Sequence, residues 1–361
     1  MSYLIRAVIL LILGTSCGLA SEANTRSREL DRSGPVPGGA SGRGIVAAAW
    51  RGAPKESWRQ HKQQLDLAWS QLERTRLRPA RAWAKENLKS HSPTLLYAFS
   101  GPDYLYAGTF FPNATTYVMA GLEPVGAIPK VVARNRHAVG QLRLSLRTIL
   151  NYSFFRTKDM RREFASNNFS GVVPVLFMFI ARAGKTIRNA ELVRLGPDGT
   201  LVAASDAVPP GSPQAVRITF AGSDGIERSL IYVQVDVSNT GRHLDAFLAL
   251  ARKQGEVDAF LKSASYLMHV ESFSKIRAHL LAQPRLLLQD DSGIPLRFFA
   301  PTDFELTPLG RYAGPISLFA GHWQRDLAAL HARAKPKPLT FGIGYRIHPG
   351  ESSLLLAVRK K

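Results

Sequence analysis

The stretch that decides the fold class covers residues 216–237 and reads VRITFAGSDGIERSLIYVQVDV. Apolar and polar residues alternate on both sides of Gly222-Ser-Asp-Gly225, as in two strands joined by a tight turn. A second turn sequence, Gly196-Pro-Asp-Gly199, separates the strand-like segments 191–195 and 200–203. Two antiparallel hairpins are therefore predicted in the middle of the chain.

Short apolar runs and helical spacings surround these hairpins. Helices are predicted at 58–72, 137–155, 243–251, 257–268 and 273–281, with Pro79 ending or kinking the first, and strands at 94–100, 116–120, 286–289, 295–299, 340–345 and 353–358. The apolar segment 172–181 is predicted to be a buried helix or strand. Helices grouped around largely antiparallel strands predict an α+β fold, not a doubly wound sheet. We expect one large domain with antiparallel strand pairs and flanking amphipathic helices.

The N-terminus is typical of an export signal. Arg6 precedes an apolar run that is too short to span a bilayer, and small residues follow it. Cleavage after Ala20 predicts a signal peptide at 1–20, a Gly-, Ser-, Arg- and Pro-rich flexible tether at 21–54, and a single domain at 55–361. The alternative is lipid attachment at Cys17, although Gly14 stands where lipoprotein signals usually carry Leu, Val or Ile. We expect a periplasmic or extracellular protein, with a lipid-anchored envelope protein as the alternative.

The chain of 361 residues is strongly basic. It carries 47 Lys and Arg against 27 Asp and Glu, a net charge of +20, which favours anionic partners. The densest basic clusters are Arg74, Arg76, Arg78, Arg81, Lys85 and Lys89, and Arg134, Arg136, Arg143, Arg147, Arg156, Lys158, Arg161 and Arg162. Export disfavours nucleic acid, so an anionic envelope glycan or lipid is the expected partner. No transmembrane helix is expected after the signal.

Four carboxylates lie beside turn sequences and are the candidate catalytic residues. Asp103 follows Ser100-Gly-Pro102, Glu123 precedes Pro124, and Asp290 and Asp291 precede Ser292-Gly293. Acidic side chains at strand ends can act as an acid and a base. The alternative is that Asp103 caps a helix and that Asp290 to Gly293 form a hairpin turn. The sequence leaves both interpretations open.

Other chemistry has weaker support in the sequence. Cys17 is the only cysteine, so a mature body without it has no disulfide, thiol nucleophile or cysteine-bound metal. The nine histidines form no zinc motif, and no cofactor is predicted. Phe341-Gly-Ile-Gly-Tyr345 lacks the third glycine of a dinucleotide fingerprint. Arg297 and His322 are candidates to assist the carboxylates.

Four sequence patterns together resemble a family of exported bacterial proteins of unknown function. They are FSGPD at 99–103 with FFPNAT at 110–115, GLEPVG at 121–126, QDDSGIP at 289–295, and FGIGY at 341–345. The resemblance covers most of the chain after Trp50 and implies that this body is one unit. It implies no activity and no catalytic residues.

Two hypotheses for function follow from the sequence. The first is an envelope-associated binding or accessory protein that contacts an anionic cell-surface component through Arg-rich surfaces. The second is a periplasmic hydrolase-like enzyme that uses Asp103, Glu123, Asp290 and Asp291.

Overall fold

The computed structural model describes residues 66–67, 69–88, 92–128, 171–204 and 209–360. The predicted signal, the tether, Cys17, the predicted helix at 137–155 and the second basic cluster lie outside these residues. The strands are β1 (Thr94–Tyr97), β2 (Thr116–Gly121), β3 (Thr186–Leu195), β4 (Leu201–Ala203), β5 (Gln214–Ala221), β6 (Glu227–Gln234), β7 (Val257–Leu261), β8 (Leu286–Gln289), β9 (Phe304–Gly310) and β10 (Ser353–Arg359). The α-helices are α1 (Arg78–Asn87), α2 (Tyr104–Phe110), α3 (Val173–Arg182), α4 (Leu244–Lys253), α5 (Ser274–Ala282) and α6 (Arg325–Ala334).

All ten strands belong to one mixed sheet in the order β4-β3-β5-β6-β2-β1-β7-β8-β10-β9. The five strands from β6 to β8 are parallel to one another. The outer strands add antiparallel pairs on both sides. These pairs are β4–β3, β3–β5 and β5–β6 on one side, and β8–β10 and β10–β9 on the other. The fold is therefore mixed α/β, and the predicted antiparallel pairs are only partly right.

Both faces of the parallel strands are covered. Along β1, Leu95 and Tyr97 join the core that also contains α1, α2 and α3. Leu96 and Ala98 join the opposite core, with α4 and α5. A strand that is buried on both faces shows a continuous apolar run instead of alternation, as parallel strands usually do. The sheet is thus the middle layer between two layers of helices.

The order of the parallel strands departs from the expected sheet. If β1, β2, β6, β7 and β8 are numbered in chain order, their order across the sheet is third, second, first, fourth, fifth. This is the order of doubly wound sheets, so the expectation of a sheet that is not doubly wound was wrong. The antiparallel hairpin β5-β6 carries the clearest turn signal, but β6 also pairs with β2 as part of the parallel set.

The individual segments gave mixed results. The two hairpins, β1, β2, β8, β10, α4 and α5 are confirmed, and the 172–181 segment is helix α3, with Pro174 in its first turn. Residues 257–268, predicted as helix, begin with the fully buried strand β7, because a short apolar run does not distinguish these states. Residues 295–299 form a 3₁₀ turn, and 340–345 contain only the isolated bridge between Ile343 and Arg346. Strand β9 was missed; it contains Pro308, which an edge strand tolerates.

Pro79 acts at the beginning of α1. A π-helical turn at Glu73–Leu77 precedes the α-helix, and Pro79 lies in its first turn. A proline removes one backbone donor and crowds the preceding turn, which accounts for the irregular backbone there. The chain is helical from residue 69 through this turn to Asn87, so Pro79 does not end the helix as one predicted alternative had it.

Candidate functional site

A cavity of about 150 Å³ lies at the carboxyl ends of β2, β1, β6 and β7. The chain leaves β1 toward β2 on one side, while β7 lies on the other side of β1. Ligands of open α/β sheets bind in the crevice at such a reversal. The polar residues that line the cavity are Tyr97, Ser100, Asp103, Glu123, Asp236, Lys262, Ser263 and Ser265.

Asp103 caps helix α2, as one sequence interpretation predicted. Its Oδ1 accepts a hydrogen bond from Tyr106 N at 3.1 Å. Its Oδ2 accepts from Tyr97 OH at 3.0 Å and lies 2.8 Å from Lys262 Nζ. Burial raises the pKa of Asp103, and the positive charge of Lys262 opposes that rise. Asp103 is thus a helix cap and an ion-pair partner at once.

Lys262 follows β7 directly and is almost completely buried. Its ammonium lies 4.3 Å from the centre of the Tyr106 ring, in addition to its contact with Asp103. The side chains of Asp103 and Lys262 are 1% and 2% exposed, so both charges are removed from water. Such a pair gains little net stability, but removing one partner leaves an uncompensated buried charge. The pair ties the turn after β1 to the turn after β7.

Glu123 lies just beyond β2, at the other side of the cavity. It is 2% exposed, and the Tyr232 hydroxyl donates to its main-chain oxygen at 2.9 Å. The same hydroxyl lies 3.4 Å from Glu123 Oε2. A Cβ atom at Gly121 would lie 2.4 Å from Glu123 Oε2 and 2.9 Å from Gly101 Cα, so glycine is needed for this close approach. The carboxylate is therefore held against the turn after β1.

The segment after β7 has an unusual backbone. Ser263, Ser265 and Tyr266 have φ values of 53°, 52° and 56° and are three of the four non-glycine residues with positive φ in the described part of the chain. Such conformations are costly and persist where the surrounding structure fixes them. Strain of this kind clusters at functional sites. Ser263 and Ser265 both line the cavity.

Hydrogen bonds from two other chain segments fix this strained turn. Asp290 Oδ2 accepts from Ser263 N at 2.8 Å, and Ser292 Oγ accepts from Ala264 N at 2.8 Å. The Tyr345 hydroxyl donates to Ser263 O at 3.0 Å and accepts from Ser265 N at 3.1 Å. By contrast, the buried Ser263 Oγ has no hydrogen-bond partner among the described residues. The turn is thus fixed through its backbone, and the Ser263 hydroxyl is a buried polar group that lacks a partner in those same residues.

Asp290 is a structural carboxylate. Besides Ser263 N, it accepts from Ser292 N at 3.0 Å and from Ser292 Oγ at 2.5 Å. Gly344, with φ 69°, lies so close that a Cβ there would be 2.1 Å from Asp290 Oδ2. Burial raises the pKa of Asp290, and the bonds from the two serines oppose the rise. The interpretation of 290–293 as a hairpin turn is wrong, because β8 leads into a 3₁₀ turn at Leu296–Phe298 and not into a partner strand.

Asp291 lies beside the strained turn and does not line the cavity. The Tyr266 hydroxyl donates to its Oδ2 at 2.7 Å. Burial, and then the negative charge of Asp290, raises the pKa of Asp291 to about 7. Burial raises the pKa of Tyr266, and the negative charge of the neighbouring Asp291 raises it further. Asp291 therefore titrates near neutral pH.

The two assisting candidates lie in neighbouring structure, away from the cavity lining. His322 stacks on Tyr266, with ring centres 4.9 Å apart, and meets His269 edge-on at 5.0 Å. Arg297 lies over the ring of Phe298, at 4.8 Å. Of the four predicted carboxylates, Asp103 and Glu123 line the cavity, while Asp290 and Asp291 support the turn that forms its wall.

The sequence did not single out Lys262, Ser263 and Asp236, for a definite reason. Residues 257–268 were predicted as one helix, which hides the strand end where Lys262 and Ser263 project. Asp236 follows β6, whose direction relative to β2 cannot be read from the hairpin. The available signal was weak, because Asp258 interrupts the apolar residues of Val257–Leu261.

No family model, curated protein or solved structure matches the chain. Within the described ranges, no group of three or more His, Cys, Asp or Glu side chains is arranged to hold a metal ion. None of the helices in the same residues is long and apolar enough to cross a bilayer.

Proposed function

We propose that the cavity binds the ribose of a nucleoside, and that the Glu123 carboxylate accepts hydrogen bonds from the ribose hydroxyls. The observation that carries the proposal is the position of Glu123, buried beside the cavity just after the second parallel strand. In doubly wound sheets of this strand order, an acidic residue about 20 residues beyond the first turn accepts the ribose hydroxyls. Glu123 follows Gly101 of that turn by 22 positions.

The size and lining of the cavity agree with a sugar. Its volume of about 150 Å³ is below the roughly 300–1,000 Å³ of sites for drug-sized ligands, so it would enclose one polar ring and not a whole cofactor. Ser263 Oγ supplies a further hydroxyl for a ligand. Phe99, Leu122 and Phe273 also line the cavity, and Leu122 is 44% exposed. These apolar groups would contact the base.

Strand order alone would not justify this proposal, because one fold supports many functions. The chain also lacks the three-glycine fingerprint of dinucleotide sites, and Gly101, with φ 50°, is the glycine at the turn after β1. The proposal therefore depends on Glu123 and on the cavity, and both can be tested by substitution.

The test is isothermal titration with adenosine, guanosine, cytidine and uridine. We expect at least one nucleoside to bind the full chain, and Glu123→Gln to weaken that binding at least tenfold, since hydrogen bonds to a charged group contribute about 1.5–3 kcal/mol. Glu227→Gln is the matched control, because Glu227 begins β6 at the opposite edge of the sheet. Absence of binding by all four nucleosides, or equal binding by both variants, would overturn the proposal.

A second candidate function rests on the exposed side of α1 and of the π-helical turn that precedes it. Arg74, Arg78, Arg81 and Lys85 are exposed and follow one another at helical spacing, which favours an anionic partner there. Arg81 also pairs with Glu73. Retention on heparin should fall steeply with salt and should drop when Arg74, Arg78 and Lys85 are changed to Gln. Retention that is unaffected by this change would remove α1 from the surface involved.

The hydrolase-like activity predicted from the sequence stays a proposal, with fewer free carboxylates than the four that the sequence offered. Asp103 and Asp290 are occupied by the contacts described above and Asp291 lies outside the cavity lining, which leaves Glu123 as the candidate carboxylate for acid–base chemistry there. Release of free base or sugar from a bound nucleoside, lost in Glu123→Gln, would support it.

A further inference from the structure

We infer that the nucleoside bound in the cavity carries no phosphate or pyrophosphate at the turn after β1, and that its 5′ substituent is neutral or positively charged. This inference rests on the proposed nucleoside site and names its ligand class. The net charge of +20 favours anionic partners for the protein as a whole, whereas the cavity would disfavour an anionic ligand.

Asp103 occupies the beginning of helix α2. In nucleotide-binding sheets of this strand order, pyrophosphate accepts hydrogen bonds from backbone N–H groups where the helix after the first strand begins. Here Asp103 already accepts from Tyr106 N, and its other oxygen is held by Tyr97 and Lys262. Helix α2 is also only seven residues long. A buried carboxylate stands where the phosphate would have to bind.

The charge of the cavity lining disfavours a phosphate. In the part of the chain that the structure describes, Asp103, Glu123 and Asp236 line the cavity together with one cation, Lys262, which is paired with Asp103. Asp236 is exposed, and its Oδ1 accepts from Ser238 N at 2.9 Å. Within the described ranges, neither Glu123 nor Asp236 has an ion-pair partner, so a phosphate would face two carboxylates whose charge repels it. A cationic substituent would be attracted by the same groups.

Two contacts hold Lys262 in place. Its ammonium contacts both the Asp103 carboxylate and the face of the Tyr106 ring, and its side chain is 2% exposed. Turning the ammonium toward a phosphate would leave the buried charge of Asp103 without its cationic partner, which is strongly unfavourable. The usual role of lysine as a phosphate ligand is thus closed to Lys262.

The experiment compares four adenosine compounds on the full chain by isothermal titration. Adenosine and S-adenosylmethionine have a neutral and a cationic 5′ substituent, while ADP and NAD carry pyrophosphate. We expect adenosine and S-adenosylmethionine to bind at least tenfold more tightly than ADP and NAD. Asp236→Asn removes one exposed carboxylate with little risk to folding. At low salt, this variant should show a smaller difference in affinity between S-adenosylmethionine and ADP than the wild type.

The outcomes separate this inference from the proposed function. If ADP or NAD binds as tightly as adenosine, the inference is wrong while the nucleoside site stands. If none of the four compounds binds but guanosine, cytidine or uridine does, the same comparison is made with the diphosphate of that nucleoside, and equal affinity overturns the inference. If no nucleoside or nucleotide binds, both proposals fail. An unchanged S-adenosylmethionine-to-ADP ratio in Asp236→Asn would remove the charge argument.

Discussion

Turn aspartates occur in two regions of this protein with opposite electrostatics. In the hairpins, Asp198 and Asp224 are exposed and pair with Lys253 and Arg228, and these hydrogen bonds lower the pKa of both, that of Asp224 to about 2. At the carboxyl edge of the parallel strands, burial raises the pKa of Asp103, Asp290 and Asp291. Aspartates near turns are thus exposed and paired in the hairpins, but are enclosed in or beside the polar cavity at the ends of the parallel strands.

The difference comes from the sheet and not from the turn sequences. Antiparallel hairpins place their turns in solvent at the ends of two strands. Parallel strands bring the turns of several distant segments to one edge, where helices on both faces exclude water. A carboxylate there must be paired or hydrogen-bonded, because an isolated buried charge is very costly. The predictions below test this contrast with matched changes in the two regions.

The largest change in the free energy of unfolding is expected when the buried cation Lys262 is removed. Lys262→Met should lower the free energy of unfolding by about 3–5 kcal/mol, because it leaves Asp103 charged and unpaired. Lys253→Met, which removes the exposed partner of Asp198, should cost far less, because water screens an exposed ion pair. Urea denaturation measures both values. The double variant Asp103→Asn with Lys262→Met should recover part of the loss, and equal costs for the two lysines would contradict the contrast.

The second prediction compares two glycines with similar backbone conformations. Gly344 and Gly225 have φ values of 69° and 72°, but only at Gly344 would a Cβ meet Asp290, whereas nothing lies within 4 Å at Gly225. Gly344→Ala should therefore cost about 1–3 kcal/mol more than Gly225→Ala. Thermal unfolding of both variants measures this. Similar losses would show that the cost lies in the backbone conformation alone.

The third prediction concerns pH. Because the pKa of Asp291 is about 7 in the folded protein and near its ordinary value when unfolded, the folded state holds more protons between about pH 4 and pH 7. The contribution of Asp291 to the free energy of unfolding is therefore fully present below about pH 4 and is lost as the pH rises from about 4 to 7. Asp291→Asn should remove a decline of about 2–3 kcal/mol between pH 5 and pH 8.

Asp198→Asn is the control for this pH dependence. Hydrogen bonds from Lys253 and Thr200 lower the pKa of Asp198, so its contribution changes only in acid. Unfolding free energies measured from pH 5 to pH 8 should have the wild-type slope in this variant. A wild-type slope in Asp291→Asn as well would contradict the assignment.

The smallest expected effect is loss of one hydroxyl from the cavity wall. Tyr345→Phe removes the contacts with Ser263 O and Ser265 N and should cost about 0.5–1.5 kcal/mol. It should also weaken nucleoside binding, since it loosens the turn that carries Ser263. Titration together with urea denaturation checks both effects. Stability and affinity that both equal those of the wild type would show that the strained turn does not depend on Tyr345.

The sequence predicted local structure better than arrangement. The hairpins were found because Gly222-Ser-Asp-Gly225 and Gly196-Pro-Asp-Gly199 have local turn chemistry. Strand β7 was missed because its five buried residues pair with β1 and β8, far away in the chain. Parallel pairing leaves no turn signal, so the sheet type could not be deduced from the hairpins.

The same reason limits what could be predicted of the site. Asp103 and Glu123 stood out because each lies beside a turn glycine or proline, and both line the cavity. Lys262 had no such neighbour and became meaningful only when β7 was placed beside β1. The positive φ values of Ser263, Ser265 and Tyr266 have no counterpart in the residue types, since they are imposed by Asp290, Ser292 and Tyr345.

The measurement that tests the central claim most directly is a cycle between Glu123 and the ribose hydroxyls. The tightest-binding nucleoside and its 2′,3′-dideoxy analogue are titrated into the wild type and into Glu123→Gln. We predict that loss of the hydroxyls weakens binding to the wild type at least tenfold and changes binding to Glu123→Gln by less than threefold, the difference expected for a hydrogen bond to a charged group. Equal losses in the two proteins would show that Glu123 does not contact the ribose and would contradict the account.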